Sequence, residues 1–267
     1  MLGINILKPY NLRIENKYYP VEFEKYGNIA ELDNNIKHNI TNEINSILID
    51  AWGVFPADFI KKHILHENRL IIARINNQCI GFCAMSYKKI FDKKVHYIEF
   101  LVIKRDFQKS GIGSHLFYLI LINDILKNLL VILLKPLEVM FITPNIRVLS
   151  RMAKFASFIY PNPYLANNEG RIIEADDLTW GMANKLIQHS DNPNRKINRE
   201  GLVLENSYFN MPWLIYNNDN APWHKNQKIN KVAKRYLGYG NKEDKEFIVR
   251  AHINLFSLLR YLYKIIF

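Results

Sequence analysis

One short segment constrains this chain more than any other: "QKSGIG", residues 108–113, set between "KKVHYIEFLVIKRDF" and "SHLFYLILINDILKNLL". The apolar, β-branched run before it predicts a strand, and the apolar run after it predicts a long helix. Strand, glycine turn and helix start therefore follow one another. A helix start exposes unpaired N–H groups and the positive end of the helix dipole, so it attracts anions. Gly111 and Gly113 permit positive φ and let a ligand approach the backbone closely. The combination suits a phosphate or pyrophosphate. Two well-known phosphate loops are excluded. GxxxxGK[ST] is absent, and GxGxxG fails because Leu116 stands at its third glycine position. What remains is Q-x-x-G-x-G, from Gln108 to Gly113.

The neighbouring segments supply context. "NEINSILIDAWGVFPADFIKKHI" (42–64) has helical spacing broken at Gly53 and Pro56, which predicts two short helices around an aromatic loop, Trp52 to Phe55. "RLIIARINNQCIGFCAMSYKKI" predicts a hairpin turning at Asn76-Asn77. "LEVMFIT" predicts a strand, and "PNIRVLSRMAKFASFIY" a helix with proline in its first turn. Further on, "EADDLTWGMANKLIQHS" predicts a helix. "EGLVLENSYF" and "KEFIVRAHI" predict strands separated by a polar, aromatic loop from Asn210 to Asp244. A very apolar helix, "INLFSLLRYLYKIIF", follows. Cys79 and Cys83 fall on one strand face with no histidine pair nearby, which fits small buried hydrophobes and not a zinc site.

Motif and element order together resemble the GNAT N-acyltransferase superfamily, whose coenzyme A loop reads [RQ]-x-x-G-x-[GA]. The resemblance covers about residues 40–160, and Asn145 in "TPN" matches an Asn common in that family. It implies an α/β (α+β) fold: a mixed, mostly antiparallel central sheet flanked by helices, with an elaborated C-terminal part. The expected organisation is a single domain, 1–267, with core about 40–160, late strands about 200–210 and 245–253, and a C-terminal helix 254–267.

The resemblance also implies a chemistry. Acetyl-CoA or a longer acyl-CoA would be the co-substrate, with no metal, and the acceptor a primary amine of a small molecule or peptide. The pyrophosphate would sit on the loop, Gln108, Lys109, Ser110, Gly111, Ile112, Gly113 and Ser114, with Asn145 also near the coenzyme. The pantetheine arm would pair with Leu101 and Ile103. The Leu101 amide would polarise the thioester carbonyl, a donor already aimed where charge develops. Glu99, the only carboxylate in "VHYIEFLVIK", is the candidate base, with Tyr97 and His96 as second choices; a plain pairing with a surface lysine is the competing reading. Many family members carry a tyrosine seven residues after the Asn that protonates the leaving thiolate. Here that position is Met152, which cannot donate a proton, leaving water or a group such as Tyr160.

Aromatic residues Trp213, Tyr216 and Trp223 suit an acceptor cleft or local packing. "LFYLILI" and "LLVILL" suit a buried helix or an apolar acyl tunnel. The terminal helix suits packing on the domain, a homodimer contact or a membrane surface. The net charge of +11 suits an acidic acyl-carrier protein as donor. It also admits nucleic acid, but no nucleic-acid module accompanies it and no such partner is expected. A catalytically silent acyl-CoA-binding protein is the alternative that Met152 raises. No stretch reaches the roughly 18 apolar residues of a transmembrane span. Lys8 and Pro9 come too early for a secretory leader, so a cytoplasmic protein is expected.

Overall fold

The computed structural model describes residues 10–14, 17–53, 63–64, 69–127, 135–190, 193, 195–207, 216, 219–241 and 243–266. They form two compact units: residues 1–86 with 98–124, and residues 87–97 with 125–267.

The first unit begins with β1 (Tyr10–Ile14) and β2 (Lys17–Tyr26), paired antiparallel, and neither was expected from sequence. Helix α1 (Asn34–Trp52) starts eight residues before the expected point. Asp33 sets that start by accepting a hydrogen bond from the Asn35 N–H at 2.8 Å. Ile40, Ile44, Ile47 and Leu48 form its buried stripe. Gly53, at φ 103°, ends the helix. Trp52, expected to open an aromatic loop, is instead the last residue of α1, and residues 54–62, with the rest of that loop and most of the second expected helix, lie outside the described residues.

Strands β3 (Arg69–Ile75) and β4 (Gln78–Ile90) form the expected hairpin. Asn76 and Asn77 both take positive φ (49° and 62°), the two-residue turn that matches strand twist. Cys79 and Cys83 are buried in β4 and form no disulfide. A second two-residue turn, Phe91-Asp92, joins β4 to β5 (Lys93–Ile103), again with positive φ at both residues. Within the first unit the strand order is β1-β2-β3-β4-β5. Helix α2 (Ile112–Lys127) follows. Leu116 through Leu121 are all at most 3% exposed, as an all-round apolar helix requires. Its one acid, Asp124, receives a two-pronged bond from the Arg69 guanidinium (2.9 Å twice), which also donates to the Ile120 carbonyl at 3.2 Å. This pair fixes α2 to β3.

In the second unit the order is β4-β5-β6 (Leu137–Thr143)-β10 (Lys245–Ile253)-β9 (Val203–Glu205)-β8 (Ile197–Asn198), with β7 (Phe158–Tyr160) also on β10. Strand β6 (Leu137–Thr143) has the bounds expected. Asn145 caps α3 (Ile146–Phe155). The expected helix ran on to Tyr160, but β7 (Phe158–Tyr160) leaves it to pair antiparallel with β10, opposite Arg250 to His252. Pro144 correspondingly precedes the cap. Helix α4 (Asp177–Gln188) is capped by Asp176. After β8 (Ile197–Asn198) comes a 3-10 turn, Glu200–Leu202, and then β9 (Val203–Glu205), shorter than the expected strand. The expected 210–244 loop is corrected: it contains α5 (Gln227–Leu237), capped by Asn226 and ended by Gly238 at φ 62°. Strand β10 (Lys245–Ile253) pairs with β6, β7 and β9, and α6 (Leu255–Ile266) follows. The mostly antiparallel sheet with flanking helices is the fold class expected. Among the described residues no helix is long and apolar enough to cross a membrane.

Candidate functional site

In the first unit, β5 aims the candidate loop. The Lys104 N–H bonds the Ile80 carbonyl at 2.9 Å as the strand ends. A 3-10 turn, Arg105–Phe107, then reverses the chain. Asp50 of α1 accepts from the Arg105 N–H at 2.7 Å, and the Gln108 side chain folds back to donate to the Ile103 carbonyl at 3.1 Å. Lys109 (φ 65°) and Gly111 (φ 95°) both adopt left-handed backbone, so the loop curls tightly before α2. The Ser110 hydroxyl donates to the Phe107 carbonyl at 2.6 Å and receives the Ile112 N–H at 3.4 Å. The Ser114 N–H returns to the Gly111 carbonyl at 3.0 Å.

The result is a helix start at which the N–H groups of Ile112 and Ser114 stay within the loop. That of Gly113 has no acceptor within the helix. No acidic residue lies in the first turn, while Lys104, Arg105 and Lys109 flank the loop against one acid, Asp106. Field and donors alike favour an anion. Just inside, His115 is 3% exposed. Burial, and then the charge of Lys25, hold its imidazole down at about 4, so it is neutral.

Gly113 packs over β5. A Cβ built there lies 3.7 Å from Ile103 Cγ1 and 4.0 Å from Leu101 Cδ2. Strand alternation puts Glu99 on the same face; residues 99, 101 and 103 are half-buried while 98, 100 and 102 are buried. The structure thus gathers Glu99, Leu101, Ile103 and the 108–114 loop. Among the described residues Glu99 meets a histidine: His63 Nδ1 lies 3.3 Å from Glu99 Oε1. Sequence reading missed His63, because nothing local ties it to a strand 36 residues away.

The remaining candidates belong to the second unit. Tyr97 is 9% exposed in an apolar cluster with Ile90, Met140, Met182 and Ile248. His96 is buried with Nδ1 3.2 Å from the Glu138 carbonyl. Asn145 uses its side-chain oxygen as a cap, accepting from the N–H groups of Arg147 (3.0 Å) and Val148 (3.4 Å). Met152 is buried. The Tyr160 hydroxyl donates to the Ile173 carbonyl at 2.8 Å and accepts from the Gly201 N–H at 3.1 Å, and burial pushes its pKa up to about 12. That hydroxyl is committed to the backbone. Tyr216 and Trp223 pack edge-on against Tyr239, at 5.5 and 5.2 Å between ring centres. Trp213 and the "LLVILL" run lie outside the described residues.

Residues 37–132 match the model described as the Acetyltransferase (GNAT) family. No curated protein matches. Among solved structures, the chain is similar to a GNAT family acetyltransferase of Streptococcus pneumoniae (14% identity, 39% of this chain and 67% of that one, TM-score 0.30). It is also similar to an aminoglycoside N-acetyltransferase in complex with CoA (14%, 43% and 75%, TM-score 0.33). A third is a ribosomal-protein-alanine N-acetyltransferase of Brucella melitensis (15%, 40% and 72%, TM-score 0.29).

Proposed function

We propose that this chain, a GNAT-superfamily protein by its residues 37–132, is an acyl-CoA-dependent N-acyltransferase that moves an acyl group, acetyl by default, onto a primary amine by direct attack. The observation that carries this reading is the anion-seeking loop between β5 and α2, with Gly111 at φ 95° and a helix start free of acids. Backbone N–H groups of residues 108–114 hold the coenzyme pyrophosphate. The backbone of Leu101 and Ile103 pairs with the pantetheine arm. The Leu101 N–H stabilises charge developing on the thioester oxygen.

Glu99 takes the proton of the incoming ammonium, directly or through one water, freeing the nitrogen lone pair. Met152 has no proton to give, and the Tyr160 hydroxyl is engaged by backbone, so solvent protonates the departing thiolate. The acceptor is a small amine or a peptide amine.

The test is thermal stabilisation by coenzyme A and by acyl-CoAs from acetyl to palmitoyl, followed by transfer to a panel of amines. A ligand at 100 times its Kd adds about 2.7 kcal/mol, a rise of about 5 to 10 °C for a chain this size. Gly111→Glu, which forces a charged side chain onto left-handed backbone at the anion site, abolishes the rise. An optimum at one chain length names the donor. No rise with any member rejects the coenzyme A reading. A rise without transfer makes the chain an acyl-CoA-binding protein, the second reading that Met152 favours.

A further inference from the structure

His63 has no place in the family motif, yet its ring meets the side chain of the candidate base. Its Nδ1 lies 3.3 Å from Glu99 Oε1, and the two side chains keep 26% and 17% of their surface exposed. A buried anchor and ring packing fix the pair. Ile64, next to His63, is fully buried, which anchors the backbone. The His63 ring stands edge-on to Phe100 at 6.3 Å and 82°. Phe100 in turn packs against Trp52 and Phe82, each at 6.3 Å. Imidazole and carboxylate are therefore both referenced to consecutive residues of β5. An exposed ion pair between flexible chains would have no such support and little worth.

We propose that His63 is a positioning residue for Glu99. This rests on the reading of Glu99 as the base. An ionised carboxylate only accepts hydrogen bonds, so Nδ1 carries the hydrogen and donates it to Oε1. Oε1 is thereby pinned and Oε2 is left for the amine. In the reaction the ammonium N–H bond breaks and its proton passes to Oε2, directly or through one water, while the electron pair stays on nitrogen. His63 keeps its own hydrogen throughout. At 3.3 Å the contact is long for a hydrogen bond to a carboxylate, and it shortens when the amine orders Glu99.

The experiment measures acyl transfer and stabilisation by coenzyme A in wild type, His63→Leu, His63→Asn, Glu99→Gln and the double variant His63→Leu with Glu99→Gln. His63→Leu is expected to lower kcat roughly 10- to 100-fold through misplacement of the base, with KM for acyl-CoA and the thermal shift unchanged. His63→Asn restores an amide donor near the Nδ1 position and recovers most of the rate. In the Glu99→Gln background His63→Leu has no further effect, because the two side chains act as one unit. If His63→Leu does not fold, His63→Asn is compared with His63→Gln, whose amide sits near the Nε2 position and is expected not to recover the rate.

Equal losses from His63→Leu in both backgrounds overturn the proposal, as do an unimpaired His63→Leu or an Asn variant as slow as the Leu one. Failure of the underlying reading looks different. A Glu99→Gln variant that turns over like wild type removes Glu99 as base, and His63 with it. A wild type that binds acyl-CoA but acylates no amine removes both together with the enzyme.

Discussion

Gly81 and Gly113 both lie against Ile103, and their surroundings differ. A Cβ at Gly81 would sit 2.5 Å from Ile103 Cδ1 and 2.8 Å from the Val102 carbonyl oxygen. The carbonyl is strand backbone and cannot swing aside. Gly81→Ala is expected to cost about 1–3 kcal/mol by overpacking, and, if the loop holds coenzyme A as proposed, to weaken that binding by moving the strand end that launches the loop; thermal melts and titration read both. At Gly113 the nearest atoms are 3.7 and 4.0 Å away, ordinary contact, and its φ is not positive. Nothing in the protein forbids a methyl group there. Gly113→Ala is therefore expected to keep or raise stability, by up to about 1 kcal/mol. If a pyrophosphate approaches that backbone, the same change lowers affinity for coenzyme A about 10-fold, or 1.4 kcal/mol. Unchanged affinity would place the ligand elsewhere.

Elements are held by a few buried ion pairs, and these were invisible in the sequence. Arg250 is 3% exposed on β10. It donates to Glu138 of β6 at 2.7 and 3.1 Å and to the Thr179 hydroxyl of α4 at 2.7 Å. Arg250→Met would leave the buried Glu138 carboxylate with His252 at 3.2 Å and Lys93 at 3.9 Å, and is expected to cost about 3 kcal/mol, most of it recovered when Glu138→Leu is added; denaturant melts of the single and double variants check this. Strands whose pattern is local were legible: "LEVMFIT" and "KEFIVRAHI" needed only their own residues. So was the 108–113 loop, since glycine spacing and a helix start carry its signal. β7 was not, because three residues following a helix become a strand only through β10, some 90 positions later. Helix α5 could have been read, from Asn226 at one end, Gly238 at the other, and buried Ile229, Val232, Ala233, Tyr236 and Leu237 between. Its basic, polar face masked that stripe. The partner of Glu99 was out of reach because no sequence pattern joins residue 63 to residue 99.

For the whole molecule, acid acts on the two units through different groups. In the first, burial holds His115 at about 4 against an ordinary 6.5. The folded form stays neutral while the unfolded chain takes up a proton, so stability falls as pH drops from 6.5 to 4, on the order of 3 kcal/mol in all. In the second, burial alone would raise Glu138, but hydrogen bonds from His252 and Arg250 and their charges hold it at about 2. That contribution is complete above pH 4.5 and is lost as pH falls toward 2. Thermal melts from pH 7 to 3 are expected to show an early loss that His115→Gln flattens and a later one that it leaves alone.

Strand β10 carries one more consequence, for synthesis. It lies between β6 and the β9-β8 pair, yet 101 residues separate the end of β6 at Thr143 from its first residue, Lys245. Until residue 253 clears the ribosome, β6 offers an open edge of Val, Met, Phe and Ile, and β9 has no neighbour on that side. At 5–20 residues per second this exposure lasts roughly 5 to 20 seconds. Such an edge invites pairing with another chain. A nascent chain stalled between α3 and β10 is thus the form of this protein most in need of a chaperone.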